Sequence, residues 1–262
     1  MVTYLLLRPI HLRWNATSAE VAQSMPGDLP IQGWTRAVTI NATPEHIWPW
    51  LVQWGQGRGG WYSYDWLENL FGFQIHTADA ILPEYQNPNI GDPICMAKDV
   101  CMSQVFVLEP GKYFGWQTPT PEGTTAWTFI IGLYPLDASS TRVVIRESFG
   151  KGALPAPALI AIELPDAVME MKALQTLKIR AEGTPEPAFN TALEIALWLA
   201  ALATGIIAVV LFIRRKAWHL PLALGLASTI VLMLITFLFL PLWGRALLDL
   251  LLVAATIYTL KK

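Results

Sequence analysis

Four side chains in this sequence are of types that could do acid–base or anion chemistry: Asp65, His76, Arg146 and Glu147. A histidine beside a carboxylate can serve as a general base, so Asp65 with His76 is one candidate pair. The same residues also suit structural roles, with Asp65 bracing a loop and His76 donating to a backbone carbonyl. Arg146 and Glu147 are consecutive on an expected strand, so they point to opposite faces of a sheet and one of them faces inward. An inward arginine could hold an anionic head group; a surface ion pair is the alternative. Aromatic residues surround these candidates. Trp54, Trp61, Tyr62, Tyr64 and Trp66 cluster in one stretch, and Trp116, Trp127 and Phe129 follow on strands that could face them. Rings lining a concave apolar site with a few polar groups make a small-molecule pocket; rings that fill a core are the other reading.

Other motifs exclude more than they suggest. Gly55, Gly57, Gly59 and Gly60 lack the Lys-Ser/Thr of a phosphate loop and read as a connector between two helices. Cys95 and Cys101 could face each other across a hairpin as a disulfide, or be two small apolar strand residues. No histidine stands near them to complete a metal site. The chain has no Gly-x-Ser-x-Gly elbow, no His-Glu-x-x-His and no nucleotide fingerprint, so no metal and no cofactor is expected. The net charge of −2 comes without a basic stripe, which argues against a nucleic-acid partner.

The elements that must position these residues follow from patterning. A strand is expected over 35–42. A helix follows with Thr43 as N-cap, Pro44 at its first position and Ile47, Trp48, Leu51 and Trp54 on one side; Pro49 lies inside it. A second short helix covers 64–71. Strands are expected over 93–97, 103–108, 113–118, 125–134 and 142–149, separated by turn residues and too close together for helical crossovers, hence antiparallel. A proline-rich interval over 154–165 leads to an amphipathic helix over 165–182, with Val168, Met171, Leu174, Leu177 and Ala181 on its apolar side and Glu170 elsewhere. The first 33 residues read as an irregular tail.

The last third is different in kind. Mean hydropathy is +0.40 and only 15% of residues are charged, and the missing charge is concentrated after residue 192. Apolar runs at about 192–213, 220–243 and 246–260 are long enough for two or three membrane spans, joined to the soluble domain (34–183) by a linker over 184–191. Arg245 and Asp249, four apart, could neutralise each other on a helix. Trp198, Trp218, Trp243 and Tyr258 sit near segment ends, as interfacial aromatics do. Sidedness is contested within the sequence. Arg214, Arg215, Lys216, Lys261 and Lys262 favour the cytoplasm for their own end. Yet the N-terminus has no signal-peptide pattern, and a domain this long is hard to export ahead of its first span. A cytoplasmic domain on a bacterial inner or cell membrane is therefore the expectation.

The order strand, helix, helix, antiparallel strands, long helix resembles the helix-grip fold of the SRPBCC superfamily, which includes START domains, the birch-pollen allergen group and polyketide cyclase-like proteins. Three stretches carry the resemblance: 35–53 (Thr-Arg-Ala-Val-Thr-Ile-Asn-Ala-Thr-Pro-Glu-His-Ile-Trp-Pro-Trp-Leu-Val-Gln), 58–72 (Arg-Gly-Gly-Trp-Tyr-Ser-Tyr-Asp-Trp-Leu-Glu-Asn-Leu-Phe-Gly) and 89–92 (Asn-Ile-Gly-Asp). Arg13-Trp14 and Met25-Pro26-Gly27-Asp28 add to it. The resemblance implies an α+β domain whose curved antiparallel sheet grips the C-terminal helix around an apolar cavity. Trp54, Trp61, Tyr64, Trp116, Trp127, Phe129, Val168 and Met171 are the expected lining. The expected function is a membrane-anchored binding module for a hydrophobic small molecule or lipid. The alternatives are a cyclase- or isomerase-type enzyme acting on a hydrophobic substrate, and a ligand-free tethered interaction domain.

Overall fold

The computed structural model describes residues 8–183, 188–238 and 240–262. The chain falls into two compact units, Met1–Pro185 and Glu186–Lys262. Part of the expected linker and the apolar start of the chain lie outside the described residues.

The first unit is α+β. Its helices are α1 (Ser18–Ala22), α2 (Pro44–Val52), α3 (Asp65–Leu70) and α4 (Ala156–Ala181). Its strands are β1 (Ile31–Ile40), β2 (Pro93–Ile94), β3 (Ser103–Glu109), β4 (Tyr113–Pro119), β5 (Thr125–Pro135) and β6 (Thr141–Phe149). They form one antiparallel sheet in the order β1-β6-β5-β4-β3-β2. Register sorts the side chains by face. Phe129 pairs with Trp116 and Glu147, and Ile131 with Phe114 and Ile145, so these six share the inner face toward α4. Arg146, Val144 and Ile130 share the outer face.

Three expectations change here. The opening stretch is not an irregular tail: residues 8–12 are helical, and α1 starts with a capping box in which Thr17 and Glu20 satisfy each other's backbone N–H. Met25 from this stretch packs with Ala37, Val107, Tyr113, Ile130 and Val144 on the outer face. Second, α4 begins nine residues earlier than expected. Pro157 occupies its first turn, where no backbone bond is lost, and the helix runs through Pro165. The side chains of Glu163, Asp166 and Glu170 bind partners outside the helix and hold this half against the sheet. Third, Cys95 and Cys101 are joined by a disulfide, in a hairpin closed by an Ala97–Val100 bridge.

The glycine cluster is indeed a connector. Gly55 and Gly60 bridge each other, and Gly60 has φ +79° where an added Cβ would lie 2.7 Å from the His76 carbonyl oxygen.

The second unit holds α5 (Ala188–Arg214), α6 (His219–Phe237) and α7 (Leu242–Lys261). All three are long and apolar enough to cross a membrane. They pack through Ala201, Val231, Ile235 and Leu252, and Ser228 Oγ donates to the Ala201 carbonyl at 2.7 Å. The expected Arg245–Asp249 pair does not form. Arg245 of α7 binds Glu194 of α5 instead. Both Asp249 oxygens are buried with no hydrogen-bond partner among the described residues.

Candidate functional site

The four candidates for chemistry do not converge. Asp65 accepts from the Thr77 N–H (2.6 Å) and Thr77 Oγ1 (2.7 Å), which braces the loop after α3. His76 is exposed. Arg146 points to the outer face and Glu147 to the inner, as strand alternation requires.

Arg146 is a structural anchor. Its Nε donates to Thr35 Oγ1 (3.1 Å), Nη1 to the Gln23 carbonyl (2.5 Å) and Asp28 (3.0 Å), and Nη2 to the carbonyls of Glu20 (2.5 Å) and Val21 (3.1 Å). The neighbouring Arg142 holds Glu20 (2.7 Å) and the Asn15 carbonyl (2.5 Å). Together they fasten the N-terminal stretch over the sheet.

Glu147 is the one candidate that faces α4. Its two oxygens accept from Trp34 Nε1 (2.5 Å) and Trp127 Nε1 (2.6 Å). Asp166 and Glu170 of α4 place carboxylate oxygens within 4.8 Å of it and of each other. One arginine binds the two acids of α4. Arg36 of β1 donates to Asp166 at 2.7 Å, contacts Glu170, and gives its Nε to the His11 carbonyl at 2.8 Å. Burial pushes the Glu147 carboxyl well above the usual carboxylate range, and the charge of Asp166 adds to this; Arg36 and the two indole donors oppose it. Farther along α4, Glu163 takes His11 Nε2 at 2.6 Å and Arg8 at 3.0 Å. The three acids could ligate a cation by geometry, and Arg36 competes with any cation for Asp166 and Glu170.

The aromatic wall adjoins this cluster, since Phe129 is the cross-strand partner of Glu147. Trp116 and Phe129 stack at 4.4 Å, Trp54 meets both edge-on at 6.2 and 6.1 Å, and Trp61 meets Trp116 at 5.6 Å. The wall is closed. Trp116, Met171 and Leu174 are 0% exposed, while Trp61, Trp127 and Val168 are half-buried. Tyr64 is buried beneath the Lys172 ammonium, 5.5 Å from its ring. Of the eight expected lining residues, Trp54, Trp116, Phe129 and Met171 therefore sit in packed interior. Trp54 and Trp116 nevertheless leave their indole N–H groups buried without an acceptor among the described residues.

Sequence reasoning missed Trp34, Arg36, Glu163, Asp166 and Glu170. The acids at 163, 166 and 170 recur at helical spacing on one face, which is a readable signal. A helix begun at residue 165 cuts Glu163 off from it, and Glu170 falls outside the helix's apolar positions.

Solved structures to which the chain is similar include protein MLL2253 from Mesorhizobium loti, 15% identical over 58% of this chain and 99% of that one, with a TM-score of 0.34. Another is EF2215 from Enterococcus faecalis, 15% identical over 70% and 86%, TM-score 0.32. A third is the Zhui aromatase/cyclase from Streptomyces sp. R1128, 17% identical over 56% and 92%, TM-score 0.28. No family model matches the chain, and no curated protein matches it.

Proposed function

We propose that this chain is a membrane-anchored binding module that takes a hydrophobic small molecule or lipid between its sheet and α4. The observation that carries the reading is the polar mismatch of the inner face. Two buried indole donors there have no acceptor among the described residues, and three carboxyl groups crowd together where one arginine binds two of them. A buried donor left unmatched costs about 1–3 kcal/mol. A ligand with an apolar body and a carbonyl or hydroxyl oxygen suits both the rings and the free N–H groups. Because the wall is closed, binding requires α4 or the 55–62 loop to give way, and half-buried Trp61, Trp127 and Val168 mark the route.

A cyclase- or isomerase-type reaction is the second reading, and Glu147 alone favours it. A carboxyl whose proton burial holds more tightly than usual can hand it to a ligand oxygen. Asp65, His76 and Arg146 give it no support.

Native mass spectrometry of the full chain released from detergent tests the binding reading. One apolar molecule per chain should stay bound to the wild type and be retained less by Trp116→Phe, which keeps the ring and loses the N–H. Identical, fully detergent-removable lipids on both proteins would favour the ligand-free interaction domain instead.

A further inference from the structure

The membrane unit has two chemically different ends. Arg214, Arg215 and Lys216 follow α5, and Lys261 and Lys262 end α7. These clusters lie at the same end of the unit, because Arg215 Nη1 and Nη2 donate to the carbonyls of Thr259 (2.6 Å) and Leu260 (3.0 Å). At the other end the turn between α6 and α7 carries no charge over 238–241, and Arg245 there is neutralised by Glu194. The nearest cations before α5 are engaged within their own unit, Lys178 with Glu182 and Arg180 with Asp79. Short flanks with this lysine and arginine bias orient their basic end toward the cytoplasm.

A second observation comes from the other unit and is independent of charge. Cys95 and Cys101 are bonded to each other, in a hairpin whose residues 98–102 are exposed. Disulfides between accessible cysteines persist in oxidising compartments and are kept reduced in the cytosol. The bond also organises the approach to the aromatic wall. Within the hairpin the Met96 carbonyl accepts from Trp61 Nε1 at 3.1 Å, and the Cys95 carbonyl accepts from the Gln56 N–H at 3.0 Å.

We propose that the α+β unit stands on the extracytoplasmic side of the membrane. The inference rests on the membrane anchoring proposed above, not on ligand binding. It reverses the cytoplasmic expectation, which came from the difficulty of export and not from any residue of the domain.

The test uses the full chain in intact spheroplasts and a membrane-impermeant maleimide. Glu122→Cys places a thiol on the exposed turn between β4 and β5. It should react before lysis, and the chain without this substitution should react only after reduction. Labelling of residue 122 only after lysis, or free thiols at Cys95 and Cys101 without reductant, would overturn the proposal. Recovery of the chain in the soluble fraction would instead overturn the anchoring on which it rests.

Discussion

The two faces of the sheet treat charge in opposite ways, and adjacent residues of β6 show the contrast. On the outer face, every guanidinium nitrogen of Arg146 donates to an oxygen of the N-terminal stretch or of Thr35. On the inner face, Glu147 shares its surroundings with two more acids and one arginine, and two nearby indoles have no acceptor among the described residues. Breaking a well-matched buried charge is costly, whereas a buried donor without an acceptor lowers stability until something pairs with it. The contrast teaches that the outer-face arginine is matched by the chain itself, whereas the inner face leaves indole donors that the proposed ligand would match.

Arg146→Met should give the largest effect. It strips donors from four or more oxygens and removes a charge that is itself 2% exposed, and should lower unfolding stability by about 3–5 kcal/mol. Denaturant unfolding of the full chain in detergent, followed by tryptophan fluorescence, measures it. A loss below about 1 kcal/mol would break the contrast.

Glu68 of α3 is a second buried carboxyl group, away from the inner-face cluster. Burial raises it to about 7, opposed by its bond from Ser63 Oγ at 2.6 Å. The folded state therefore holds this proton more tightly than the unfolded chain does. Its contribution is full below about pH 4.5 and declines as pH rises to about 7. Glu68→Gln should remove that decline and gain about 2–3 kcal/mol at pH 8 relative to the wild type. Melting curves across pH check it.

Glu147→Gln tests the inner face directly. Its carboxyl is also raised, so the wild type loses stability as pH climbs. Removing the charge should be neutral or stabilising at neutral pH, by up to about 2 kcal/mol, opposite in sign to the outer-face variant. Strong destabilisation in the same denaturation assay would show that the acid is as well matched as Arg146.

Trp116→Phe leaves a small cavity and should cost the fold about 1–2 kcal/mol, and it should weaken ligand retention roughly fivefold, as loss of one hydrogen bond does. Equal retention would remove the indole from the ligand's contacts.

Much of the architecture was legible in the chain. The strand expected over 125–134 is found at Thr125–Pro135, because its turn residues and alternation leave little choice. The Arg146/Glu147 division followed from strand alternation alone. The misses share a physical cause, which is partners distant in sequence. Nothing local says that Arg36 will meet Asp166 and Glu170 some 130 residues later and hold the proline-containing half of α4 against the sheet. Glu194 and Arg245 are likewise 51 residues apart. The N-terminal helix is different, since Thr17 and Glu20 have the spacing of a capping box and could have been read. For the cysteines, spacing left two readings open, and only the hairpin geometry closes the bond.

The most direct measurement is the indole N–H spectrum of the isotope-labelled full chain in micelles, before and after apolar ligand is stripped on a hydrophobic resin. The resonances of Trp54 and Trp116 should move on stripping, while those of Trp34 and Trp127, held by Glu147, stay in place. If Trp54 and Trp116 do not move, the inner face is a filled core and the account of ligand binding is wrong.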